Sequence, residues 1–137
     1  MELYWLLLVR MEIKVPISIG ELVDKITILE IKKDKILDNL KFSNIHSELI
    51  KLNLIYNSTK EKNKNIDFYY KSLKKINAEL WDIEENIRDC ERRKDFGNEF
   101  IELSRKIYFK NDLRYEIKNK INKELGSQIL EEKSYKK

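Results

Sequence analysis

From Ile66 to Cys90 the chain places an apolar residue every three or four positions without a miss: Ile66, Tyr69, Leu73, Ile76, Leu80, Ile83, Ile87 and Cys90. Alternation of three and four is the heptad period, and it keeps one side of an α-helix apolar over about three and a half repeats. A strand, whose side chains alternate with period two, would scatter the same residues over both faces. A helix with such a seam must lie along another helix, in this chain or in a partner.

The rest of the sequence is written in the same helical period. Ser18-Ile-Gly-Glu21 reads as a capping box, a serine hydroxyl three residues before a glutamate at a helix start. Leu22, Ile26, Leu29, Ile36 and Leu40 follow at spacings near three and four, with Ile28 and Ile31 on the opposite side. Two apolar sides predict a helix that is sandwiched or meets a partner chain. A break or kink is expected at Lys41–Asn44, with Ser43 as the cap, before Ile45, Leu49, Leu52 and Tyr56 resume the stripe. Residues 57–65 lack any apolar side chain and read as a loop. Asp95-Phe96-Gly97-Asn98 reads as a tight turn, Gly97 taking the left-handed conformation and Asn98 capping the next helix. That helix runs to about Leu125, carries Phe100, Leu103, Ile107, Ile121 and Leu125 inward, and ends at Gly126-Ser127.

Composition closes the alternatives. Among 137 residues there are 3 Gly and 1 Pro, too few for the many tight turns of a β-sandwich or barrel. A charged content of 38% beside 42% hydrophobic residues is a globular balance rather than that of a disordered chain. The fold expected is all-α: an antiparallel helical hairpin or bundle of three to four helices, with an extended lead-in at 12–17, interrupted by Pro16, and a short C-terminal tail. A single helical domain is expected over 11–137. Leu3–Val9 is an apolar run too short to span a bilayer and without the basic start of a secretory signal. Met11 is read as a natural start and residues 1–10 as a non-native upstream extension. The alternative is a short strand or helix covering an apolar patch.

Bases and acids, 28 against 24, are interleaved, so a net charge of +4 does not build the one-sided basic face that nucleic acid requires, and nucleic acid is not expected as a partner. A lone cysteine permits no internal disulfide and suits a reducing cytoplasm. Cys90 falls on the seam and reads as a packed thiol; His46 lies off its stripe and reads as a surface residue. No glycine-rich phosphate loop, GxSxG, HExxH or CxxC occurs, so no metal or cofactor is expected. Glu21-x-x-Asp24 and Glu99-x-x-Glu102 place carboxylates one turn apart, but each pair lies in a first turn, where acids favour the helix dipole.

The strings GELVDKITILEIK (20–32), LWDIEENIR (80–88), DFGNEFIELSRKIY (95–108), NDLRYEIKNKIN (111–122) and EEKSY (131–135) resemble a family of short bacterial proteins catalogued as a domain of unknown function. The resemblance is far looser over 41–65. It carries no catalytic residues. It implies a setting near glycosyltransferases and cell-surface polysaccharide assembly, an association rather than a mechanism.

One polar feature interrupts the helix faces. Ile107, Asn111, Arg114, Lys118, Ile121 and Leu125 fall on one line, and Asn77, Trp81, Glu84 and Arg88 form another beside the seam. An antiparallel hairpin gathers Glu84, Arg88, Asn111, Arg114 and Lys118 on its inner side, with Asp24, Lys25 and Lys32 as further members if the first helix reaches them. Two readings stand. In one, Glu84 pairs with Arg88 while Arg114 and Lys118 snorkel to solvent. In the other, three cations against Glu84 form an anion pocket. The functions expected are a small cytoplasmic binding or assembly protein, a homo-oligomer or docked to a protein partner, and alternatively a small-anion-binding helical enzyme.

Overall fold

In the computed structural model, residues 11–59 and 64–135 are described. The reading of residues 1–10 lies outside them. Four helices and no strand occur among the described residues: α1 (Ile19–Lys35), α2 (Asn39–Thr59), α3 (Lys64–Arg92) and α4 (Asn98–Glu124). Residues 11–17 form an exposed, non-helical lead-in, and 125–135 a non-helical tail.

Helix α1 starts where the capping box places it. Ser18 is extended, its Oγ accepts the Glu21 amide at 3.1 Å, and its carbonyl accepts that of Leu22. Its stop is earlier than the stripe suggests. Ile36 turns extended while still donating to the Lys32 carbonyl, Leu37 is 91% exposed, and Asp38 opens α2 by accepting the Lys41 amide at 2.9 Å. The break therefore lies at 36–38 rather than 41–44, and Asp38, not Ser43, is the cap. Leu40, read as an inward residue, is 73% exposed.

Helix α1 packs against all three other helices, and α3 packs against α4. This explains its two apolar sides: Leu22, Val23, Ile26 and Leu29 join Ile45, Leu49, Tyr56, Ile66, Leu73 and Ile121 in the core, and Ile31 is buried as well. The α3 seam is buried at Ile66, Leu73, Ile76, Leu80, Ile83 and Cys90, and half-buried at Tyr69 and Ile87.

The chain reverses between α3 and α4 by a different device from the one expected. Lys94, not Gly97, takes the left-handed conformation (φ 55°), and the Asp95 amide reaches back to the Cys90 carbonyl. Gly97 is the residue before α4, with its amide on Asp95 Oδ1 at 3.1 Å, and Asn98 is already helical. Arg93 ties the corner by pairing with Asp89, Asp95 and Glu99. At the other end Gly126 is left-handed (φ 65°), as a helix-terminating glycine should be.

Candidate functional site

The face of α1 turned toward α3 and α4 carries Gly20, Asp24 and Thr27, all buried. Spacings of four and three make this a stripe of small and polar residues among the otherwise apolar buried positions of the helix. Gly20 is there because the helices touch: a Cβ on it would lie 2.4 Å from the Lys118 carbonyl oxygen and 2.9 Å from Asn122 Oδ1. The Gly20 amide donates to that same Asn122 oxygen at 2.6 Å, and the Ile19 amide donates to Ser127 Oγ at 3.2 Å. With Ser18 holding the amides of Glu21 and Leu22, the α1 N-terminus has its free donors filled from within.

One turn further along the stripe, Asp24 is 1% exposed. Arg114 grips it with both arms, Nε on Oδ1 at 2.8 Å and a terminal nitrogen on Oδ2. Asn77 Nδ2 adds 2.9 Å bonds to Asp24 Oδ1 and to Thr27 Oγ1, and Thr27 Oγ1 donates to the Asp24 carbonyl. Three helices are thus joined through one carboxylate. Burying that charge is tolerable only because a bidentate guanidinium and an amide replace its water. The bond to Asp24 is also what raises the Arg114 pKa above its ordinary value, against the effect of burial.

Arg114 and Asn77 form the base of an open cleft of about 630 Å³ between α3 and α4, with Ile28 of α1 at its side. Its other lining residues are Leu80, Trp81, Glu84, Glu85, Arg88 and Asn111. Asn111 accepts a long bond (3.4 Å) from Arg114. Glu84, Glu85 and Arg88 are exposed, and none of them makes an ion pair or hydrogen bond among the described residues.

Four of the five residues singled out in the sequence, Glu84, Arg88, Asn111 and Arg114, line this cleft. Lys118 does not. Its ammonium sits between Glu21 (2.7 Å) and Glu131 (2.8 Å), with 7% of the side chain exposed. Burial alone would lower its pKa, but the hydrogen bonds to Glu131 and Glu21 outweigh burial and raise it. Two expectations are thereby corrected. Arg114 and Lys118 point inward to acids instead of snorkelling, and of the three cations only Arg88 is without an acidic partner among the described residues. Glu21 does stand in the first turn of α1, where the dipole favours it, and is an interhelical partner as well, whereas Asp24 lies beyond that turn and serves as an interhelical partner. Lys25 is exposed and lines a different groove, beside the lead-in.

Asp24, a further member if the first helix reached the hairpin, does reach it through Arg114 and Asn77, and Trp81, on the second polar line, lines the cleft. Glu85 is the charged lining residue that the two lines left out. Elsewhere, Cys90 is buried and burial raises its thiol pKa, as a packed thiol requires. His46 is exposed and stacks on Phe42. Among the described residues no group of three or more His, Cys, Asp or Glu is placed to hold a metal, and no helix is long and apolar enough to cross a membrane.

A family model described as a family of unknown function, DUF6165, matches residues 13–137. The chain belongs to that family. No curated protein and no solved structure matches it. For a DUF6165 member, then, function has to be argued from the cleft and the network beneath it.

Proposed function

We propose that this DUF6165 protein is a small-ligand-binding module on a helical-bundle scaffold, with its site in the cleft of the α3–α4 hairpin. One observation carries the reading. Glu84, Glu85 and Arg88 line the cleft without partners among the described residues, over a base that Asp24, Asn77 and Arg114 hold fixed. A base whose rotamers are locked by bidentate bonds is the preorganised half of a binding site, and unpaired charges at its mouth are the half left for a ligand. The volume suits a small metabolite. Binding, rather than catalysis, is the reading: the acids and bases fixed in place are neutralised by one another.

The test is a panel of millimolar amines, carboxylates, phosphates and neutral sugars, followed by thermal unfolding and by ¹H–¹⁵N spectra. We expect at least one class to raise Tm and to shift the Trp81 indole and Asn111 signals. The shift should vanish in a Glu84→Ala/Arg88→Ala variant that keeps the wild-type Tm. Silence across the panel would reject the reading.

A second reading, assembly with a protein partner or a second copy, is favoured by one specific observation. Helix α4 presents Ile101, Tyr108, Phe109 and Leu113, each between 44% and 52% exposed, on the side away from the core. Light scattering on the purified chain distinguishes a monomer from an oligomer. The wider setting we propose is the one the family resemblance implies: a bacterial cytoplasm, accessory to cell-surface polysaccharide synthesis.

A further inference from the structure

We infer that the cleft selects small organic cations over anions. The inference rests on the cleft being a ligand site and adds the chemistry of what enters. Charge is the first argument. The guanidinium of Arg114 is committed to Asp24 through two bonds, and Lys118 is taken up by Glu21 and Glu131 outside the cleft. What remains uncompensated among the described residues is Arg88 against Glu84 and Glu85, a surplus of one negative charge. An anion entering there meets two carboxylates and a single free cation, whereas an ammonium neutralises the surplus.

Position is the second argument. Glu84 and Glu85 stand three and four residues after Trp81, so on a helix both carboxylates neighbour the indole one turn away. Trp81 is half-buried and lines the same cleft. An indole face beside two carboxylates is a favourable surrounding for an alkylammonium, which the ring quadrupole attracts and the acids accept hydrogen bonds from. Leu80 and Ile28 supply apolar surface for the ligand's carbon body. Arg88 stands seven residues after Trp81, about two helical turns along the same face.

The experiment uses the full chain with ¹⁵N labelling, the Trp81 indole signal being identified by its loss in Trp81→Phe. Butylammonium chloride and inorganic phosphate are titrated separately at ionic strength held constant with NaCl. The expected result is a saturable shift with butylammonium, at least tenfold weaker in Glu84→Gln/Glu85→Gln, and none with phosphate. Both substitutions are on exposed side chains, so the variant keeps its Tm. A saturable shift with phosphate and none with butylammonium overturns the inference while leaving the cleft a ligand site. A butylammonium shift that the double variant retains overturns it as well, since the carboxylates would then contribute nothing. If neither probe moves the signal, the selection of cations fails, and the fate of the binding reading is decided by the wider panel.

Discussion

At the residue scale, Asp24 decides most. It is an acid placed among Leu22, Val23, Ile26 and Thr27 on the helix that touches every other helix. Removing one partner of a wholly buried ion pair costs about 3–5 kcal/mol, because the remaining charge stays behind without water. Arg114 keeps 28% of its side chain exposed toward the cleft, which moderates the cost. Asp24→Ala is accordingly expected to destabilise the fold by about 2–4 kcal/mol, read as a drop in urea midpoint at unchanged m. A loss below about 1 kcal/mol would mean that the guanidinium finds water as readily as it found the carboxylate. Asn77 and Thr27 were visible in the sequence only as polar residues near apolar ones. That they would close on Asp24, 53 and 3 positions away, is a fact of packing.

At the scale of elements, the approach of α1 to α4 is set by Gly20. Any side chain there must displace the Lys118 carbonyl or the Asn122 amide oxygen, and the former is backbone that cannot rotate away. Gly20→Ala is expected to cost about 1–3 kcal/mol, as overpacking a close contact does, although alanine favours a helix more than glycine does by about 1 kcal/mol. Measured by chemical denaturation, a stabilisation would show that the helices have room to separate. The α1–α2 break illustrates why stripe-reading misplaced a boundary. Leu37 and Leu40 continue the apolar spacing of α1, yet both face solvent. The residue that decides the break is Asp38, whose side chain and carbonyl together satisfy the first amides of α2. Periodicity marks which residues share a face, but caps fix where the face ends.

At the scale of the whole molecule, Lys118 joins α4 to α1 through Glu21 and to the tail through Glu131, while Ser127 takes the Ile19 amide and donates to the Ile129 carbonyl. The folded pKa of Lys118 is raised above 10.5. The stability it contributes is therefore fully present below that ordinary value and is lost as pH rises through the higher folded one. Unfolding free energies measured by urea should fall as pH rises above 10.5 in the wild type, and fall less steeply in Lys118→Met. Parallel curves would assign the alkaline loss to other groups, such as the phenols of buried Tyr56 and half-buried Tyr70, whose pKa values burial also raises. By itself the sequence determined the helical class, the buried seam of α3, the start of α1 and the end of α4, because period and cap chemistry are local. It also brought Glu84, Arg88, Asn111 and Arg114 onto facing lines. Only the tertiary structure decided which charges are spent on one another. Arg114 meets an acid 90 residues away, and Lys118 is drawn out of the cleft to Glu21 and Glu131. Such pairings depend on how α1 is rotated and how closely it approaches, and Gly20 and the core fix both at long range.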